Sequence, residues 1–126
     1  TNNCIIFVAA PGIYDELPAK FNEFNKSQFG EKLTKYRKAA DIIEASTLDY
    51  TIIRPAWLTN LNEVDYEITK KDETFKGTEV SRKSVASLAV QIAKNPELHS
   101  KENIGVNKPN TEGNKEEASA KRLLKE

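Results

Sequence analysis

Cysteine, histidine and any surplus of charge are scarce in this sequence. Its single cysteine, Cys4, excludes an intrachain disulfide and any multi-cysteine metal site. Its single histidine, His99, follows Pro96 in a polar stretch and has no second histidine or cysteine to share a metal with, so it reads as a surface residue. Nineteen Lys+Arg balance nineteen Asp+Glu, which removes bulk attraction to nucleic acid or anionic lipid. No apolar run approaches the ~20 residues of a membrane span, and no signal-peptide pattern opens the sequence. These absences set the expectation of a soluble, cytoplasmic chain. What is present, 38% hydrophobic and 30% charged residues over 126 positions, is low for a compact domain yet well short of disorder, and it fits one small α/β domain.

Cys4–Ala10 is a continuous apolar run of strand length, rich in β-branched residues. The lack of alternation predicts a strand covered on both faces, as in a parallel sheet between helices, with Cys4 an inert buried thiol. A chain seldom opens on such a strand, and the expectation is that its sheet neighbours lie outside the 126 residues. Pro11-Gly12 then breaks the backbone, and the stretch to about Lys32 is too irregular to assign. Phe21, Phe24 and Phe29 should pin it to something apolar. From Leu33 the spacing of Leu33, Tyr36, Ala39 or Ala40, Ile43 and Ser46 predicts a helix. A short turn leads to a second strand, Tyr50–Ile53, closed by Arg54-Pro55; strand, helix, strand is a βαβ unit. Tyr66–Thr69 alternates like a short strand with one wet face, and Lys70–Glu73 reads as a solvated turn. Ser81 is placed to cap a helix carrying Val85, Leu88, Ala89 and Ile92, which Asn95-Pro96 stops. Asn103–Asn107 reads as a last strand, and the polar tail ends in a short helix over Ala118–Leu124. Glu63, Asp65 and Glu67 read as a charged surface loop, and Lys70-Lys71 is too short for a phosphate patch.

The ordered series from Leu33 to Thr59, with its Glu44-Ala45-Ser46-Thr47-Leu48-Asp49-Tyr50-Thr51 turn and its Arg54-Pro55 strand end, resembles the atypical short-chain dehydrogenase/reductases. These include the nitrogen-metabolite-repressor-like and flavin-reductase-like groups. Ile6–Tyr14 is similar to the family's preceding strand and loop, Glu79–Ala86 to the opening of its last long helix, and Glu102–Val106 to its closing strand. The resemblance implies a doubly wound, Rossmann-type parallel sheet and NAD or NADP as cofactor. The family's Gly-rich phosphate turn has no counterpart among glycines 12, 30, 77, 105 and 113. Residues 1–110 are therefore expected to be the C-terminal half of a single NAD(P)-binding domain, with 111–126 as a tail.

The same resemblance nominates site residues. Loops beyond the carboxyl ends of the strands, Ala9, Ala10, Pro11 and Gly12 after the first and Pro55, Ala56, Trp57 and Leu58 after the second, would approach the cofactor; the plainer reading is that Pro-Gly and Arg-Pro merely end strands. Where the superfamily uses serine, this chain has Ala9 and Ala10; where it uses tyrosine and lysine, Leu33 and Arg37. Tyr36 lies three residues on from Leu33, rotated by about 60° on the helix. Arg37 is expected to hydrogen-bond ribose hydroxyls, and Tyr14 to be either the proton donor or a packing and lining residue. Trp57 is a pocket wall or a core residue, and Arg54 pairs with Asp41 or Asp49. The implied activity is NAD(P)-dependent reduction of a small electron-poor substrate (quinone, flavin or carbonyl) between Gly12–Tyr14 and Pro55–Leu58. The alternatives are a non-catalytic dinucleotide sensor and a half-domain that completes its sheet as a homodimer.

Overall fold

A computed structural model of the chain describes residues 4–14 and 16–111. Among them, in chain order, lie β1 (Cys4–Val8), α1 (Ala19–Phe29), α2 (Lys32–Ala45), β2 (Asp49–Pro55), β3 (Trp57–Thr59), β4 (Glu67–Lys70), β5 (Glu79–Ser81), α3 (Arg82–Lys94) and β6 (Glu102–Asn107). The main sheet has the order β1-β2-β6-β4. β1, β2 and β6 are parallel, in the registers Val8 to Ile53 and Ile53 to Ile104, and β4 joins β6 antiparallel. The result is a mixed α/β fold of Rossmann type with helices on both faces of the sheet.

β2 is the central strand, and its sequence says why. Thr51 to Pro55 are all buried, so neither face can be polar unless the polar group is paired. Ile52 packs with Leu33 and Ala40 of α2, while Ile53 packs with Val85, Leu88 and Ile92 of α3 and with Ile104 and Val106 of β6. Burying side chains such as Leu88 and Ile92 contributes roughly 1.5–3 kcal/mol each. Ser81 caps α3 as its position suggests, its Oγ accepting from the Ser84 N–H at 2.9 Å. Beside the main sheet, β3 and β5 form a short parallel pair that the sequence pattern did not reveal.

β1 has β2 on one side and no partner on the other among the described residues, which leaves open the edge where neighbours outside the 126 residues are expected. Other expectations need correction. The strand is exposed at both ends. It stops at Val8, and Cys4, its first residue, is an exposed thiol rather than a buried one. The stretch left unassigned before Lys32 contains α1, with Phe21 buried in the core on the α3 side. In β4, Thr69 is the inward residue and Ile68 is exposed, because Gly105 of β6 leaves room opposite Thr69 for little more than a hydroxyl. The short helix expected at Ala118–Leu124 lies outside the described residues.

Candidate functional site

Parallel strands present their carboxyl ends at one edge of the sheet, and a crossover helix returns its N-terminus to that edge. Here the edge carries the turn after β1, the loop after β2, the whole of α1 and the first turn of α2. Pro11 and Gly12 form the turn after β1. Gly12 has φ +83°, and a Cβ there would collide with the amide of Asn25, so only glycine fits. Its N–H donates to Glu16 Oε1 at 2.7 Å.

Glu16 is part of a buried ion pair. Its Oε1 lies 3.5 Å from Arg54 Nη1, both side chains being sealed from solvent. Arg54 also donates from Nε to Asn103 Oδ1 at 2.6 Å. The partner is thus neither Asp41 nor Asp49. Arg54 stands two residues after Ile52, on the α2 side in mid-sheet, whereas Asp41 is an exposed residue held by Arg37 and Asp49 opens β2 beside Ser100. Burial pushes the Glu16 carboxyl above the usual range, although Gly12 and Arg54 pull it back, and burial lowers Arg54 against the pull of Glu16.

Tyr14 follows the turn. Its hydroxyl accepts from Asn103 Nδ2 at 2.9 Å and donates to Glu44 Oε1 at 3.4 Å. Burial, then the charge of Glu44, push the phenol up to about 12. Arg37 lies 4.6 Å over its ring and Lys71 4.8 Å over it, while Lys71 also pairs with Glu44 at 3.1 Å. Tyr14 is therefore a neutral phenol framed by cations.

The loops after β1 and β2 are joined rather than separated by an open pocket. Asn25, fully buried on α1, donates to the Pro11 carbonyl at 2.8 Å and accepts from Trp57 Nε1 at 2.9 Å. Trp57 is half-buried, with Phe24 and Phe29 against its ring at 5.3 and 5.7 Å between centroids. Trp57 thus packs against α1, and it is not one of the residues that wall the cleft on the other side of the turn. Ala9, Ala10, Pro11, Pro55 and Ala56 are buried and none of them walls that cleft, and Leu58 points to solvent at 38% exposure.

The open space lies on the other side of the turn. A cleft of about 390 Å³ is walled by Gly12, Ile13, Lys26, Gly30, Leu33, Thr34 and Arg37. That volume suits a small molecule or part of a larger one, in the range of about 300–1,000 Å³. Leu33, Thr34 and Arg37 share one face of α2, so the two positions aligned with the superfamily's tyrosine and lysine both front this cleft. Arg37 donates from Nη1 to the Ile13 carbonyl at 3.2 Å and from Nε to Asp41 at 3.2 Å. Sequence reasoning missed Glu16, Asn25, Lys26, Thr34 and Asn103. Asn25 alone left a signal, a polar residue on the stripe Phe21, Phe24, Asn25, Phe29.

Residues 3–96 match the model of a family described as NAD(P)H-binding. The chain belongs to that family. Its cofactor is accordingly NAD or NADP. Among solved structures, the chain is similar to a Rossmann-fold NAD(P)-binding family protein from Shigella flexneri at 50% identity, with TM-score 0.70 over 86% of this chain and 47% of that one. It is also similar to a short-chain dehydrogenase/reductase from Veillonella parvula in complex with NADP, at 28% identity and TM-score 0.79, over 84% of this chain and 51% of that one. ChuY, an anaerobilin reductase from Escherichia coli O157:H7, shares the fold at 23% identity and TM-score 0.74, over 87% and 52%. The chain thus spans about half the length of the solved structures it matches. No curated protein matches it. Among the described residues, no helix is long and apolar enough to cross a membrane, and no group of three or more His, Cys, Asp or Glu could hold a metal.

Proposed function

We propose that the chain serves an NAD(P)-dependent oxidoreductase of the atypical short-chain dehydrogenase type, cytoplasmic, that reduces a small electron-poor acceptor. The observation that carries this reading is the shared cleft. Gly12–Ile13 after β1 and Leu33 and Arg37 on α2 front one cavity at the carboxyl edge of the sheet. The residues fit the nicotinamide end of the cofactor and an acceptor laid against it: Ile13 and Leu33 offer apolar wall for flat rings, and Arg37 and Thr34 offer donors for the polar groups of either. When bound, the nicotinamide supplies a hydride.

The rest of the chemistry belongs to the chain. Leu33 has no proton to give, and Arg37 serves to orient through its planar guanidinium. Ala9 and Ala10 bring no hydroxyl to the end of β1. Tyr14 is the remaining phenol of the loop, and as proton donor it must release its bond to Glu44. A carbonyl acceptor needs such a donor, whereas a quinone takes the hydride and then a proton from water to give the hydroquinone. Quinone or flavin is therefore the favoured acceptor class.

The test is to mix full-length protein with NADPH and a panel of quinones, flavins and aldehydes, and to follow absorbance at the nicotinamide band. Turnover with at least one ring acceptor is expected. Binding without turnover across the panel would favour the second reading, a nitrogen-metabolite-repressor-like sensor, which the apolar Ala9 and Ala10 and the tightly held Tyr14 proton support. Arg37→Met is expected to lower kcat/KM by about tenfold or more, as the loss of one charged hydrogen bond to the bound state.

A further inference from the structure

The cleft has a sign. Two of its walls carry a full positive charge, Lys26 in the last turn of α1 and Arg37 in α2, and none carries a negative one. Lys26 is exposed, and neither its ammonium nor the Thr34 hydroxyl has a partner among the described residues. Arg37 has one, Asp41, but that pair is about half exposed on both sides, and such a pair neutralises little. Nε and Nη1 of Arg37 are engaged by Asp41 and the Ile13 carbonyl, which holds the guanidinium in place with Nη2 left over. The helix ends meeting at Gly30–Glu31 have opposed dipoles, the carbonyl end of α1 against the N–H end of α2, so the side chains decide the field. Glu31 is exposed, makes no capping bond and stands outside the cleft's walls.

We infer that the acceptor is an anion, and that its carboxylate is held by Lys26 and Arg37, with Thr34 able to donate a further hydrogen bond. Two cations around one small cavity with no counter-charge in its wall favour a carboxylate there over a neutral group of the same shape. The inference rests on the reading of this cleft as the acceptor site.

Its test uses full-length protein, NADPH and the matched acceptors 1,4-naphthoquinone and 1,4-naphthoquinone-2-carboxylate. The quantity read is the ratio of kcat/KM for the acid to kcat/KM for the neutral quinone. Lys26→Gln, a change on an exposed position, is expected to lower that ratio about tenfold, chiefly through KM, and Lys26→Glu to lower it further. An unchanged ratio in both variants overturns the inference. If no acceptor is turned over, calorimetric titration of the carboxylate quinone into the protein still decides. Binding that weakens about tenfold in Lys26→Gln sustains the anion site although the oxidoreductase reading has failed; absent or indifferent binding overturns it. A third arm compares NADPH with NADH: loss of the NADPH preference in Lys26→Gln, with the acceptor ratio intact, assigns the cations to a cofactor phosphate and overturns the substrate assignment.

Discussion

Arg54 and Glu16 are the costliest residues to disturb. A buried pair recovers its desolvation only while both partners are present; removing one leaves the other charged and alone. Glu16→Gln keeps an acceptor for the Gly12 N–H but strands Arg54, and the expected loss is about 3–5 kcal/mol in equilibrium urea unfolding. A loss below 1 kcal/mol would mean that water reaches the pair. Tyr14 gives a second prediction, on pH. Its phenol ionises at about 12 in the folded chain against 10.0 when free. The neutral ring therefore contributes stability that is full below pH 10 and fades as pH climbs through about 12. Tyr14→Phe should flatten the alkaline fall in stability between those limits; an identical fall in the variant would refute the assignment. The same variant is expected to slow an aldehyde acceptor by ~10²-fold, with a smaller effect on a quinone. Equal effects would remove Tyr14 from proton delivery.

At the level of elements, β2, α2, α3 and β6 were legible because each declares its burial through periodicity. Ser81 and Pro96 mark the ends of α3, and Arg54-Pro55 the end of β2. α1 was not legible: Pro18, Lys20, Asn22 and Gln28 dilute its apolar stripe, and its polar Asn25 faces inward because two loops need its amide. β3 and β5 are too short to carry a period. Of the candidate cleft, Gly12 at the first strand end and the Leu33–Arg37 face were legible, whereas the second strand end does not wall it; Glu16 and Lys26 come near it from other segments, which spacing along one segment does not encode. Gly105 shows such a contact at its tightest. A methyl there would strike the Phe75 ring and the Thr69 hydroxyl where β4 meets β6. Gly105→Ala is expected to cost about 1–3 kcal/mol as overpacking, read as a lower urea midpoint with unchanged slope.

Taken whole, the molecule is a three-layer arrangement whose sheet is covered by α2 on one face and α3 on the other, with its chemistry confined to one rim. Ligation at that rim should stiffen everything the rim touches. For full-length protein, NADPH at a hundredfold excess over its dissociation constant is expected to raise unfolding free energy by about 2.7 kcal/mol; an unmoved thermal midpoint at such excess would contradict cofactor binding. The rim also contains its own gauge. Trp57, the chain's single tryptophan, shares one buried amide with the turn that walls the cleft, so any displacement of Pro11–Gly12 must tug on its indole N–H. Intrinsic emission at that one fluorophore should therefore shift whenever the cavity fills, giving an optical titration without a label.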